Sequence, residues 1–222
     1  DLIREIDRVD GIARYRISSI EPNLLSDEII DFVAASRAFM PHFHIPLQSG
    51  SDTVLQLMRR HYDTAHFKGR IDRIRSIMPD AFIGVDLITG ARGETRDEFE
   101  RSRDFIASLD VTKLHIFPYS ERPGTRALGI EHVVSQEEKH QRAKEMAEIS
   151  DAKLDAFTRR FASTQRPVLL EHSIKGKPMS GFTDNYLKVY IEPSQPQLDN
   201  HIVNVNLLSP IAGGEMKGEI AL

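Results

Sequence analysis

The run from Phe82 to Ile88 constrains the fold more than any other stretch, because it is apolar at nearly every position and interrupted only by Asp86. A strand of that kind cannot show one face to water, and it belongs in a parallel sheet whose crossover helices cover it. The surrounding sequence supplies such a sheet. Strands are predicted at Ala13 to Ser18, Phe43 to Leu47, Phe82 to Ile88 and Lys113 to Phe117, each followed by a helical pattern. Four strand–helix units imply right-handed crossovers and parallel pairing. In such sheets ligands sit at the carboxyl ends of the strands, so the strand exits are where function is sought.

The helices are marked by periodicity and caps. Leu2, Ile3, Ile6 and Val9 form an apolar stripe expected to be buried. Ser26 caps a helix carrying Ile29, Ile30 and Val33, and Phe67, Ile71, Ile74 and Ile77 mark another starting near Thr64. Thr95 with Glu98, and Ser135 with Glu138, have the spacing of capping boxes. The second opens a helix whose Ala143, Met146, Ile149, Leu154, Phe157 and Phe161 keep one face apolar for about seven turns.

After a linker at Ser163 to Gln165 the pattern changes to short alternating stretches. Val168 to Glu171, Leu187 to Ile191, Ile202 to Leu207 and Gly218 to Leu222 read as strands of a small antiparallel β-barrel. The expected organisation is an α/β domain over residues 1–162 followed by a β-barrel domain over 166–222.

The strand exits are polar and rich in turn residues. His44-Ile45-Pro46-Leu47-Gln48-Ser49-Gly50-Ser51-Asp52 reads as strand, polar turn and capped helix, and Ser18, Ser19 and Glu21 follow the first strand. Gln48-Ser49-Gly50 is equally readable as a helix-entry turn that satisfies backbone donors. Asp86 needs a partner, since an unpaired buried carboxylate costs several kcal/mol; structural pairing and ligand contact are both open. His42 and His44 share a strand face, but no third ligand stands at metal-site spacing, so a structural role is expected. Arg59-Arg60-His61 reads as a solvated helix end.

Other chemistries are excluded or unsupported. The chain of 222 residues contains no cysteine, which rules out thiolate catalysis, disulfides and cysteine-held zinc or iron–sulfur clusters within it. Its net charge of -4 argues against a broad electrostatic grip on nucleic acid. Neither a Walker loop nor G-x-G-x-x-G occurs, and no nucleophile elbow presents a serine. With neither a membrane-length apolar run nor a signal-peptide pattern, a soluble cytoplasmic protein with no membrane partner is expected.

Together the exits resemble one family. Arg16-Ile17-Ser18-Ser19-Ile20-Glu21-Pro22, His44 to Asp52, Asp86-Leu87-Ile88-Thr89-Gly90 with Gly93-Glu94-Thr95, and Phe117-Pro118-Tyr119-Ser120 with Arg122-Pro123-Gly124-Thr125 follow the order of the radical-SAM tRNA methylthiotransferases. Gly181 to Tyr186 with Val189 resembles the TRAM domain that ends those proteins. Ser-Ser-Ile-Glu-Pro and Phe-Pro-Tyr-Ser are most like the branch acting on N6-threonylcarbamoyladenosine; the dimethylallyladenosine branch is the alternative. The turn Gly90-Ala91-Arg92-Gly93-Glu94-Thr95 departs from the family's common Gly-Phe-Pro-Gly-Glu-Thr.

The resemblance implies the C-terminal part of a partial (β/α)6 TIM-like barrel followed by TRAM, an excised piece or a proteolytic remnant whose N-terminal cluster domain is missing. It implies a whole enzyme using S-adenosylmethionine and two [4Fe-4S] clusters, neither held by this chain, to place a methylthio group on C2 of a modified adenosine in tRNA. Ser19, Glu21, Gln48, Ser49 and Asp86 then fall near S-adenosylmethionine, Arg122 and Thr125 near the modified base, and Tyr186 and Lys188 toward tRNA. The competing expectations are a non-catalytic RNA-binding module and a hydrolase or phosphate-binding α/β enzyme, the last lacking its nucleophile or phosphate loop.

Overall fold

A computed structural model describes residues 2–174 and 176–221. Its first sheet contains β1 (Tyr15–Ile17), β2 (Phe39–Gln48), β3 (Phe82–Thr89) and β4 (Lys113–Pro118), ordered β1-β2-β3-β4 and parallel throughout. Strand alternation divides each strand between two environments. Phe43, Ile45, Leu47, Ile83, Val85 and Leu87 are almost wholly buried in the main core. That core also takes Ile30 and Val33 of α2 (Asp27–Ala35), Phe67, Ile71 and Ile74 of α4 (Thr64–Ile77), and Phe99 and Ile106 of α5 (Arg96–Ser108). The alternate positions His42, His44, Gly84, Asp86 and His115 belong to the opposite face.

Local signals explain where helices begin. Ser26, Thr95 and Ser135 accept from the backbone N–H of Ile29, Glu98 and Glu138 at 3.3, 3.3 and 3.1 Å. In each expected capping box the glutamate carboxylate is engaged by another side chain, across the fold in one case and within the helix in the other. The Glu98 carboxylate accepts from the Ser51 hydroxyl, the cap of short α3 (Asp52–Leu57), and Glu138 pairs with Arg142. The first stripe is a correction: α1 (Leu2–Asp7) has no buried residue, with Leu2 72% exposed, and only Ile3 and Ile6 pack partly on the core. A helix of six residues at the sheet margin is too short to bury a whole stripe.

Helix α6 (Gln136–Arg159) runs 24 residues, roughly 36 Å at 1.5 Å per residue. It is fastened to edge strand β4 through Ser150, whose hydroxyl accepts from Leu114 N–H at 2.9 Å. Met146 and Ile149 belong to the main core, whereas Leu154 and Phe157 enter a second one.

That second core fills a closed barrel of β5 (Gln165–Leu170), β6 (Met179–Thr183), β7 (Lys188–Ile191), β8 (Ile202–Ile211) and β9 (Glu215–Ile220), ordered β5-β6-β7-β9-β8 with β8 returning to β5. The small antiparallel barrel expected is present, and it contains one parallel seam. After the β8–β9 turn, β9 lies between β8 and β7 and runs parallel to β7. Strand β6 escapes sequence reading because Gly181 breaks its alternation. The glycine is needed where strands close up: a Cβ there would stand 2.5 Å from Leu169 O.

The barrel is fixed to the sheet by polar contacts. Arg14 donates to Phe182 O and Pro167 O at 3.1 and 2.9 Å, Asn185 donates to Asp80 O at 3.0 Å, and Arg166 bridges Asp80 and Asp184. Among the described residues, no helix is long and apolar enough to cross a membrane.

Candidate functional site

Two cavities meet the polar face of the parallel sheet. The upper one, of about 560 Å³, is at the strand exits and is lined by Gln48, Asp86, Ile88, Phe117 to Ser120, Arg122, Thr125 and Ala127. Gln48 enters it through an unusual backbone: its φ of 71° lies in the left-handed region, and the β2–β3 register shifts between Pro46 and Gln48. A non-glycine residue there is strained by roughly 1–3 kcal/mol, and irregular pairing re-aims a side chain at the strand's end. Tyr62 supports the bend, its hydroxyl donating to Pro46 O at 2.8 Å. Burial pushes the Tyr62 phenol up to about 12, so it stays a donor.

Asp86 finds its partner in His44, whose Nε2 lies 2.6 Å from Oδ1. The His44 ring lies against His115 at 4.8 Å between centroids. Burial, then the neighbouring His44, holds His115 below the ordinary histidine range. Structural pairing and exposure to the cavity therefore coexist at Asp86. Among the described residues, no three or more potential ligands are placed to hold a metal ion.

The loop over this cavity is tied by Arg92, which stands in the turn after β3. Its guanidinium donates to Leu128 O at 2.7 Å, Ile130 O at 3.0 Å and Glu121 Oε1 at 2.7 Å. Arg92 holds the Glu121 carboxyl below its ordinary range. Thr125 Oγ1 donates to Arg122 O at 2.9 Å, closing the loop on itself. Beneath it, buried Lys139 places its ammonium 5.3 Å from the Tyr119 ring centroid.

The remaining expected residues are placed elsewhere. Ser49 is fully buried, with Oγ accepting from Ser51 N–H at 3.2 Å, so the structure gives it the helix-entry role rather than a place on the cavity wall. Glu21 pairs with Arg60 at 3.0 Å and Ser19 is exposed; neither lines either cavity. Arg60 is thereby more than a solvated helix end. His44, Tyr62, Arg92 and Lys139 were not singled out as site residues by sequence reasoning. Only His44 carried a signal, the strand parity it shares with His42.

The lower cavity, of about 500 Å³, lies where the sheet meets the barrel and includes His42, His44, His115, Arg16, Lys113, Tyr186 and Lys188. Tyr186 is not open to stack on a base. Phe182 lies parallel to its ring at 4.6 Å between centroids, and the Arg16 guanidinium is 3.9 Å from its centre. Lys188 is near Tyr190, 5.3 Å from the ring centroid.

This architecture, a parallel half-barrel with its cavity at the strand exits, is that of a radical-SAM protein, and the Radical SAM superfamily pattern matches residues 1–106. The chain is homologous over most of its own length to the MtaB-type tRNA methylthiotransferases. It is 35% identical over 212 residues to the threonylcarbamoyladenosine tRNA methylthiotransferase MtaB of Bacillus subtilis, covering 93% of this chain and 47% of the relative. The Thermotoga maritima protein of that name is 35% identical over 188 residues, covering 85% of this chain and 43% of the relative. A tRNA-2-methylthio-N(6)-dimethylallyladenosine synthase of Stenotrophomonas maltophilia is 34% identical over 206 residues, with coverage of 92% and 43%. The chain thus spans less than half the length of these curated relatives. Coproporphyrinogen III oxidase (HemN) from Escherichia coli, described as a radical SAM enzyme, shares the fold with a TM-score of 0.55 at 15% identity, over 93% of this chain and 49% of that one.

Proposed function

We propose that this chain forms the S-adenosylmethionine and substrate wall of a tRNA methylthiotransferase that modifies C2 of N6-threonylcarbamoyladenosine, working in the cytoplasm where its tRNA is made. The observation that carries the reading is the strained exit at Gln48, joined in one cavity to Asp86, Arg122 and Thr125. Its mixed lining suits S-adenosylmethionine. Ile88 and Phe117 offer apolar contact to a flat ring, while Gln48 and Ser120 offer hydrogen bonds and Asp86 offers a carboxylate suited to a sulfonium or ammonium charge. When bound, S-adenosylmethionine supplies the radical precursor and the methyl group; the residues here bind and orient it. With no cysteine, the chain does not offer thiolate ligands to either of the two [4Fe-4S] clusters proposed for the whole enzyme. Those ligands, like the rest of the protein, belong to sequence beyond these residues.

The choice of adenosine rests on chemistry at the rim. A threonylcarbamoyl group carries a carboxylate and a hydroxyl, which Arg122 and Thr125 suit; a dimethylallyl group is apolar and suits Phe117 and Ile88. The test uses the longer, cluster-bearing protein with tRNA of each kind, followed by nucleoside analysis. Arg122→Ala should lower kcat/KM on threonylcarbamoyladenosine tRNA at least about tenfold, consistent with loss of a charge-assisted bond. Gln48→Ala should weaken S-adenosylmethionine binding. Full activity of both variants overturns the site assignment, and methylthio transfer only to dimethylallyladenosine overturns the branch assignment. S-adenosylmethionine cleavage by this chain alone, after treatment with iron and sulfide, overturns its dependence on other sequence.

A further inference from the structure

The lower cavity has chemistry of its own. Arg16 and Lys113 line it without a carboxylate partner among the described residues, and Lys188, held beside Tyr190 and attracted by Glu215 and Glu171, adds a third cation. Among the described residues, the only carboxylate on its wall is that of Glu215, which accepts from Tyr190 Oη at 3.2 Å. Asp86, beyond the wall, is occupied by His44. In a chain whose net charge is -4, three cations facing one carboxylate are a local reversal of sign.

A second observation points to a ligand. His42 is 6% exposed, and its buried Nδ1 has no hydrogen-bond partner among the described residues. Such an atom costs free energy unless something satisfies it, and buried polar atoms are rarely left so. Burial first, then Arg16 and His44, pushes His42 down to about 4 against the opposing pull of the Ile17 backbone, so near neutral pH it is an uncharged ring. The cations come from both parts of the fold: Arg16 and Lys113 from the parallel sheet, Lys188 from the barrel.

We propose that this junction cavity is a binding site for a phosphate-class anion, held by Arg16, Lys113 and Lys188 with the His42 ring on its wall. The site is distinct from the strand-exit cavity, divided from it by the His44–Asp86 pair and using none of that cavity's other residues. Two sources share the chemistry, a small phosphate compound and a phosphodiester of an RNA strand.

The test is a titration of the intact chain, labelled at its histidine rings, with inorganic phosphate against potassium chloride at equal ionic strength. Saturable shifts of the His42 and His115 ring signals in the millimolar range are expected with phosphate only. Lys113→Gln should weaken the response about tenfold, the loss expected for one charge-assisted contact, and Lys188→Gln provides the same reading if the first variant does not fold. Equal shifts with chloride, an absence of saturation, or undiminished affinity in a folded variant overturns the proposal. Competition by a short RNA lacking terminal phosphates identifies the phosphodiester source; competition by adenosine monophosphate alone identifies the small molecule, and both outcomes support the site.

Discussion

Removing Arg142 tests the most deeply buried charge pair near the candidate site. Its side chain is 1% exposed, and Nη1 donates to Glu94 Oε1 at 2.6 Å and to Glu94 O at 2.9 Å. The same Glu94 side-chain oxygen accepts from Gly90 N–H at 2.7 Å, fixing the turn that follows β3 beside the cavity. Arg142→Met leaves the Glu94 carboxylate buried without its cation, a change that costs about 3–5 kcal/mol. With a denaturant slope of about 2–3 kcal/mol per molar, the urea midpoint should fall by roughly 1.5 M. The double variant Glu94→Gln/Arg142→Met removes both charges while the introduced amide oxygen still accepts from Gly90 N–H, and should recover most of the loss.

The pH dependence gives a second reading of the same pair. Burial pushes the Glu94 carboxyl up, against the opposing pull of Arg142 and the Gly90 N–H. Without Arg142 it rises further, so the native state holds a proton that the unfolded chain releases, and stability declines as pH rises through that window. The deficit of Arg142→Met should therefore shrink in acid. A midpoint shift below about 0.5 M, or a double variant no more stable than the single, refutes the reasoning.

Two further outcomes follow from named contacts. Because His42 is held at about 4 when folded, the unfolded chain binds the extra proton as pH falls from about 6.5 to 4, and about 3 kcal/mol of stability is lost across that interval. His42→Phe should flatten this slope in denaturant titrations, leaving the same-sign contribution of His115; an unchanged slope contradicts it. Gly50→Ala would put a Cβ 2.7 Å from Ser102 O and 2.9 Å from Ser102 Cα, forcing α5 away. A melting temperature lower by roughly 5 °C is expected from about 1–3 kcal/mol of overpacking, and an unchanged one shows that α5 yields freely.

The parallel sheet was legible because its evidence is local. Apolar runs at Ile45, Leu47, Ile83, Val85 and Leu87, and caps at Ser26, Thr95 and Ser135, each act within a few residues. The exits at Gln48, Asp86, Arg122 and Thr125 were also readable, and the fold brings all four to one cavity. What escaped depends on partners distant in sequence. Nothing near Asp86 indicates His44, 42 residues earlier, and nothing near Arg92 indicates the carbonyls of Leu128 and Ile130. For Gln48-Ser49-Gly50 both readings were open, and the left-handed backbone at Gln48 separates them: Gln48 lines the cavity while Ser49 is buried and accepts from Ser51 N–H. The parallel β7–β9 seam was hidden for a similar reason: strand order in a closed barrel is a property of the whole closure, not of either strand.

One helix has a place in both hydrophobic cores. Because α6 carries Met146 in the first and Leu154 with Phe157 in the second, swinging the barrel on the sheet would require peeling apolar side chains from one core or breaking the helix between them. The helix acts as a gauge, setting a constant separation between the barrel surface and the strand exits. Any surface that touches both the barrel and the strand exits has therefore to match one fixed spacing.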